Sequence, residues 1–552
     1  MIEWLLNLLT YDPLKPLNFT TGFFWGFFLV VMTGFVMLHR RLAIRNAYLF
    51  VVSLFFYYKT SGLFLYILLF STFSDYYIGL AIHRSDREVV RKWLLALSVT
   101  INLSVLGYFK YAQFVVENVN AVLGTHFAVH NYFADWANVF FGGQYEVGRI
   151  LLPVGISFFT FQTISYAIDV YRRDTEPVRS ILDFGFYVSF FPQLVAGPIV
   201  RAAEFIPQLY QPYKLSRQEF GFALFMILKG LTKKMFIGDY IATNFIDRVF
   251  ANPGMYTGFE SLMSLYGYSL QVYCDFAGYT DVAIGVAALM GFTLPTNFNS
   301  PYKATSVASF WKRWHMSLSN WLKDYLYIPM GGNRGGSYFT YIMVVIICLA
   351  LVLLSGSIKL GVGLVFAAIV VIVLVMVFPG IQRAISHNIN LLVTMLLGGL
   401  WHGASWQFVI WGGLNGVGLI VYKFWKKISP WEGKSHWGVR AWRIFLTFNF
   451  ITFTRIWFRA GSMETTTRIL NKISHDFQLS LVPQILAGYY QVFLVMSLGF
   501  VLHWLPGAFK DKWINRFVAS PVWVQGLITV VTAFLIYQSV SADKQPFIYF
   551  QF

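Results

Sequence analysis

Two histidines and two aspartates stand where the surrounding chain leaves little reason for an ionisable side chain. The first histidine belongs to Phe310-Trp311-Lys312-Arg313-Trp314-His315-Met316-Ser317-Leu318-Ser319-Asn320-Trp321-Leu322-Lys323-Asp324-Tyr325. Apolar and aromatic residues recur at 311, 314, 318, 322 and 325, a spacing that predicts one amphipathic helix over 310–325. His315 lies on that apolar stripe between Trp311 and Ser319, while Lys312, Arg313, Asn320 and Lys323 occupy the opposite face. A basic amphipathic helix can simply lie in a membrane interface. Such a helix would carry leucine where this one carries histidine.

The second histidine is more isolated still. Residues 391–422 contain no charged side chain and a single histidine, His402, within Leu397-Gly398-Gly399-Leu400-Trp401-His402-Gly403-Ala404-Ser405-Trp406. As one helix these 32 residues would run roughly 48 Å, longer than a hydrocarbon core of about 30 Å. The glycines therefore predict a break near His402, though glycines also serve close helix packing. In a soluble core a lone histidine is ordinarily just packed. At membrane depth its burial is costly, so function is the default reading. An imidazole titrates near neutral pH and so can take up and release a proton there.

The aspartates lie in Tyr273-Cys274-Asp275-Phe276-Ala277-Gly278-Tyr279-Thr280-Asp281-Val282-Ala283-Ile284-Gly285. Asp275 and Asp281 could orient a histidine, line a polar tunnel, pair with a buried arginine, or cap a helix after a break. The other eight histidines carry no such argument. His39 and His83 sit in basic loops, His126 and His130 in a predicted external loop, and His387, His436, His475 and His503 near span ends, where a half-exposed ring needs no explanation.

The elements that must position these residues are membrane helices. Of 552 residues, 57% are hydrophobic and 12% charged, too apolar a surface for water. The apolar residues fall in long runs, clearest at 21–38, 63–82, 93–109, 360–378, 486–505 and 522–540, and about a dozen spans or partial spans are expected. The fold expected is an all-α polytopic membrane protein with broken or re-entrant helices. Breaks are signalled by Leu152-Pro153-Val154-Gly155, Phe191-Pro192 and Ala196-Gly197-Pro198.

A formal charge of +17 does not indicate nucleic acid, because the basic residues sit in short loops between apolar runs. His39-Arg40-Arg41, Arg45, Arg84, Arg87 and Arg91-Lys92 place loops 39–46 and 83–92 in the cytoplasm, with the amino terminus and a loop over 110–149 outside. Between those basic loops, 47–58 and 63–82 are expected to form a hairpin. Met1-Ile2-Glu3-Trp4 lacks the basic region and cleavage site of a signal peptide. Cys274 and Cys348 read as buried free thiols. No phosphate loop, H-E-x-x-H helix or G-x-S-x-G elbow occurs, which disfavours ATP-driven, zinc-protease and conventional serine-hydrolase chemistry.

Residues 310–333, ending Tyr327-Ile328-Pro329-Met330-Gly331-Gly332-Asn333, and residues 398–411 resemble the signature segments of the membrane-bound O-acyltransferase family. Leu152-Pro153-Val154-Gly155-Ile156-Ser157-Phe158, Val195-Ala196-Gly197-Pro198-Ile199-Val200-Arg201, the 275–285 segment and Phe547-Ile548-Tyr549-Phe550 are similar to its bacterial alginate O-acetyltransferase-like subgroup. The resemblance covers about 150–460 and the carboxyl end. It divides one integral membrane domain, 1–552, into N-terminal spans and an external loop (1–150), a catalytic core (151–460) and C-terminal spans (461–552). Two apolar runs at 338–378 depart from the subgroup pattern and are expected to form a lipid-facing or partner-binding hairpin.

The resemblance implies a helical bundle around a transmembrane tunnel in a multi-pass protein of the cytoplasmic (inner) membrane. His402 takes the place of the family's catalytic histidine. His315 takes that of a second polar residue, where eukaryotic relatives carry asparagine. Trp311, Arg313, Trp314, Ser319 and Asn320 are the expected lining on one side. Asp275, Asp281, Trp401 and Trp406 complete it. His315 or Asn320 would position the acceptor or the carbonyl oxygen, and Asp275 or Asp281 would fix a histidine tautomer. The donor would be acetyl-CoA or another acyl thioester, with no metal. The acceptor would be an extracytoplasmic hydroxyl of a cell-surface polysaccharide, often reached through an SGNH-type partner enzyme. D-alanyl transfer to teichoic acid from a carrier protein is the neighbouring reading. From the residues alone, a transporter with a histidine and aspartate path is another.

Overall fold

The computed structural model describes residues 9–13, 15–355 and 357–539, and all regular structure among them is helical. The Met1-Ile2-Glu3-Trp4 start and the Phe547-Ile548-Tyr549-Phe550 match lie outside the described residues. The chain forms an all-α polytopic membrane protein. Among the described residues, six helices are long and apolar enough to cross a bilayer, or seven if Leu479–Gly488 and Tyr490–Trp504, bent by 87°, count as one. The 93–109 run is absorbed into one 36-residue segment, Glu88–Leu123, and the 63–82 run joins its neighbour in Leu42–Arg84. Within the latter, Gly62 at φ 62° interrupts 43 residues that would otherwise extend roughly 64 Å. Gly22–Leu38 is apolar but, at 17 residues, shorter than a full span.

Two compact units are distinguished. The first comprises the described residues within 9–106, 153–300 and 464–539. Its central element is Gly258–Leu289, opened by a capping box in which Thr257 and Glu260 satisfy each other's backbone N–H groups. This helix packs antiparallel on Arg217–Leu231 and the wide turn Thr232–Asp239, with Gly278 against Gly230. A Cβ at Gly230 would stand 2.5 Å from the carbonyl oxygen of Gly278, so small residues set the approach.

The predicted breaks fall in this unit, and their freed backbone groups find partners. At Pro153-Val154-Gly155 the Val154 N–H donates to Ser61 Oγ (3.1 Å), and Tyr57 donates to the Val154 carbonyl (2.8 Å). At Phe190-Phe191 the Phe191 N–H donates to Ser53 Oγ (3.2 Å). Irregular backbone at membrane depth persists because protein groups replace the missing water. A buried carboxyl links three further helices of the unit. Asp75 of Leu65–Arg84 accepts from Ser98 (2.5 Å) and Asn102 (2.7 Å) of Glu88–Leu106, and Thr163 of Ile156–Arg172 donates to Asn102 (2.9 Å).

Not every basic residue counted toward sidedness is free in a loop. Arg45 is buried and donates to the carbonyls of Leu209 (2.6 Å) and Gln211 (3.0 Å). Arg91 is also buried, on Glu88 and the Tyr171 carbonyl.

The second unit comprises Gly107–Leu152 and Pro301–Met463. The expected external loop over 110–149 is partly helical: a wide turn, Gly107–Tyr111, leads into Ala112–Leu123, and Tyr132–Phe141 follows. The apolar runs at 338–378 form Tyr338–Ser355 and Ile358–Val377, ahead of Pro379–His402. Cys274 is a buried free thiol, whereas Cys348 is only half-buried.

Candidate active site

The predicted helix over 310–325 is interrupted at its histidine. Val307–Trp311 ends, the chain turns, and His315 caps Met316–Leu322 at φ 45°, ψ 55°. A left-handed backbone costs a residue with a Cβ roughly 1–2 kcal/mol, and histidine tolerates it better than most. The turn rotates His315 wholly inward, to 0% exposure. The apolar stripe otherwise survives, with Trp314, Leu318 and Tyr325 buried and Lys312, Asn320 and Lys323 exposed.

The break expected near His402 is present. Pro379–His402 ends at the histidine, Gly403 is extended, and Trp406–Ile428 returns. A helix end leaves its last carbonyls without intrahelical partners. Here Tyr111 donates to the Leu400 carbonyl (2.7 Å) and the Lys110 ammonium to that of Trp401. Those two bonds fix the turn that carries His402.

Glycines fix the return. A Cβ on Gly399 would stand 2.3 Å from the Phe408 carbonyl oxygen, and one on Gly412 would stand 2.3 Å from that of Met395. Gly412→Ala is therefore expected to force the hairpin apart, at a cost of about 1–3 kcal/mol. Gly413→Ala should be near neutral, because its Cβ meets only the tip of Leu396 at 3.4 Å. Thermal unfolding in detergent distinguishes the two. Equal melting temperatures would show that backbone approach at 412 does not hold the hairpin.

Both histidines converge on Trp401. Its ring centroid is 5.7 Å from that of His315 and 4.9 Å from that of His402. His402 is enclosed further by Trp411 (5.1 Å) and Phe458 (5.2 Å), and is 3% exposed. His315, Lys110 and Arg455 are close enough to act on His402 electrostatically. Arg455 is buried, with its guanidinium 4.3 Å from the Trp314 ring centre and 5.6 Å from that of Tyr302. The arrangement is an imidazole in an aromatic enclosure with a second imidazole and fixed positive charge nearby. Such a site can accept a proton from a hydroxyl and stabilise negative charge on an attacked carbonyl.

The other expected residues divide. Trp311 is half-buried against Trp411 (5.7 Å), and Trp314 is buried under Arg455. Arg313 is half-buried. Trp406 donates to Asn118 (2.8 Å), which holds it beside the turn after His402. Ser319 donates back to the Trp314 carbonyl (3.3 Å), and Asn320 is exposed, outside the ring cluster. Asp275 and Asp281 belong to the first unit and are engaged there by lysines. His503, expected half-exposed, is buried against Tyr273 with ring centroids 4.6 Å apart.

Lys110, Tyr111, Trp411, Arg455 and Phe458 were not singled out by the sequence reading. The signal existed for two of them. Lys110 closes the 93–109 apolar run, and Arg455 is the lone charge between Ile444 and Phe458. Among the described residues, no group of three or more histidine, cysteine or acidic side chains could hold a metal ion.

Residues 64–352 match the profile of the membrane-bound O-acyltransferase family, a stretch that includes His315 and stops short of His402. A protein named probable alginate O-acetylase AlgI, from Azotobacter vinelandii, is 37% identical over 406 residues, covering 73% of this chain and 68% of its own length. The chain belongs to the membrane-bound O-acyltransferase family. It is an acyltransferase. The peptidoglycan O-acetyltransferase of Helicobacter pylori is 32% identical over 84% of this chain and 79% of that protein. The teichoic acid D-alanyltransferase of Bacillus subtilis is 30% identical over 54% of this chain and 67% of its own length. Membership in this acyltransferase family replaces the transporter reading.

Proposed function

We propose that this acyltransferase moves an acetyl group from a cytoplasmic thioester, acetyl-CoA, to an extracytoplasmic hydroxyl of a cell-surface polysaccharide, directly or through an SGNH-type partner. The observation that carries the reading is the convergence of two buried imidazoles on Trp401, beside the break that ends a membrane helix. His402 accepts the proton as the hydroxyl oxygen attacks the thioester carbonyl. The tetrahedral intermediate collapses by breaking the carbon–sulfur bond, and the proton returns to the departing thiolate. His315 hydrogen-bonds the acceptor or the carbonyl oxygen, and Arg455 supplies fixed positive charge. A tunnel lined by the aromatic cluster lets donor and acceptor approach from opposite faces.

The two O-acetyltransferase relatives match a larger share of this chain than the D-alanyltransferase does, which favours acetyl over D-alanyl transfer. Acetyl transfer from labelled acetyl-CoA and D-alanyl transfer from a charged carrier protein, measured side by side, test the choice. D-alanyl transfer alone would overturn the acetyl assignment.

The direction of transfer follows from a cytoplasmic-membrane topology with loops 39–46 and 83–92 inside. Single cysteines at Arg41 and Arg87 are expected to resist an impermeant thiol reagent in intact cells, while one at His130 is labelled. The reverse pattern would reverse the sidedness of donor and acceptor.

A further inference from the structure

In the first compact unit, the apolar helices Tyr490–Trp504 and Val522–Ser539 are not joined by a plain turn. Pro506 and Pro521 bracket a helix of 13 residues, Gly507–Ala519, with four charged side chains, Lys510, Asp511, Lys512 and Arg516. At roughly 20 Å it is too short and too polar to cross a bilayer. Exposed Trp504 ends the helix before it, and exposed Trp523 opens the helix after it. Tryptophan collects at the headgroup level of a membrane, so the short helix lies at that level.

Hydrogen bonds tie this helix to one end of the unit. Arg217 donates to the Ser520 carbonyl (3.1 Å) and Lys510 to Ser300 Oγ (3.2 Å). Tyr213, just ahead of Arg217, donates to the Leu289 carbonyl (3.0 Å) and packs on His39 (5.3 Å), the first residue of the basic loop. Under the topology proposed above, that end faces the cytoplasm.

The side chains of Gly507–Ala519 separate into stripes. Phe517 packs on Phe225 of Arg217–Leu231 (ring centroids 5.5 Å), and Val518 lies against Gly221 of the same helix. Phe509 and Trp513, one turn apart with ring centroids 6.0 Å apart, are exposed. Lys512 and Arg516, also one turn apart, adjoin that aromatic edge, and the Arg516 guanidinium is 5.7 Å from the Trp513 ring centre. Among the described residues neither cation is ion-paired. Lys510 is turned away, onto the His503 carbonyl (2.8 Å). Asp511, the one acid of the helix, is exposed and stands roughly 160° around the axis from Phe509.

Between Ala508 and Ala519 the outer face carries an open groove of about 590 Å³, lined also by Asp511, Lys512, Asn515 and Arg516. Exposed aromatic rings with cations beside them, and the acid on the far side, suit a helix lying in a negatively charged membrane surface. A soluble anion would leave the aromatic edge without a role.

We propose that Gly507–Ala519 is a docking surface for an anionic phospholipid, with Phe509 and Trp513 at the acyl boundary and Lys512 and Arg516 on the headgroup phosphate. The choice of the cytoplasmic leaflet rests on the topology proposed above, whereas the lipid class does not. The full chain is released from neutral detergent, and native mass spectrometry measures the Kd for phosphatidylglycerol and for phosphatidylcholine of the same acyl chains. Melting temperature without added lipid reports the folding of each variant.

The expected result is a wild-type preference for phosphatidylglycerol of about 25-fold, to which each cation contributes about fivefold. Lys512→Gln and Arg516→Gln each lower it about fivefold, and the double variant binds both lipids alike. Trp513→Ala weakens both lipids together. Wild-type protein that binds the two lipids equally overturns the proposal, as does a folded double variant that keeps the wild-type preference. If the double variant does not fold, Asp511→Asn decides. Removal of the one acid should tighten phosphatidylglycerol several-fold and leave phosphatidylcholine unchanged, and no change overturns the proposal. A dimer in the same spectra that Trp513→Ala dissociates would assign the aromatic edge to a second copy of the chain and also overturn it.

Discussion

His402→Ala is expected to lower the acyl-transfer rate per folded molecule by roughly 10²–10⁴-fold, the range for loss of a positioned general base. Membrane insertion should be unaffected, because the hairpin around residue 402 is set by other groups. Gly399 and Gly412 fix the helix crossing, and Tyr111 and Lys110 hold the carbonyls of Leu400 and Trp401. Removing the imidazole leaves those bonds in place. It also opens a cavity between Trp401, Trp411 and Phe458, so some loss of melting temperature accompanies the loss of rate. Rate and stability must therefore be separated. If His402 only packed helices together, yield would fall while the surviving folded fraction kept its specific activity. A folded His402→Ala enzyme working at near wild-type rate would remove the base from the mechanism.

The second large effect is at His315, where the backbone makes the choice of substitution informative. His315 sits at φ 45°, ψ 55°, a conformation that asparagine adopts readily and alanine does not. Asparagine also retains a neutral hydrogen-bonding group close to Trp401. His315→Asn is thus expected to keep both fold and a measurable fraction of activity. His315→Ala should lose stability through the turn and activity through the missing polar group, falling at least tenfold below His315→Asn in rate per folded molecule. Gly at the same position separates the causes: it relieves the backbone without restoring the hydrogen bond. Glycine activity equal to that of asparagine would show that the position serves the turn alone.

Much of this architecture was legible because membranes impose simple rules. The break at His402 followed from a 32-residue uncharged run too long to cross as one helix, with glycines at the point of interruption. The Pro and Gly breaks near 153 and 191 were legible for the same reason. Their partners, Ser61, Tyr57 and Ser53, were not, because contacts about 90 to 140 residues apart leave no local pattern. The turn at His315 was missed because helical periodicity continues on both sides of it. A single left-handed residue re-aims a ring without disturbing the spacing of its neighbours.

Hydropathy does not by itself distinguish a full span from a bent or short apolar helix, as at Leu479–Gly488 and Tyr490–Trp504. Asp275 and Asp281 stood out in the sequence as charges within an apolar run, and an arginine was the partner considered for them. Their lysine partners are 41 and 48 residues away, Lys234 for Asp275 and Lys233 for Asp281, and could not be chosen from composition alone.

The central claim is acyl transfer from one face of the membrane to the other through the site at His402. The protein is reconstituted into sealed vesicles with labelled acetyl-CoA inside, and oligosaccharides from alginate and peptidoglycan are supplied only outside. A detergent-solubilised sample of the same preparation, given the same donor and acceptors, serves as the control for chemistry. The account predicts label on an external oligosaccharide for the wild-type protein in both formats, and on neither for His402→Ala. Transfer in detergent with all label retained inside the sealed vesicles would contradict it.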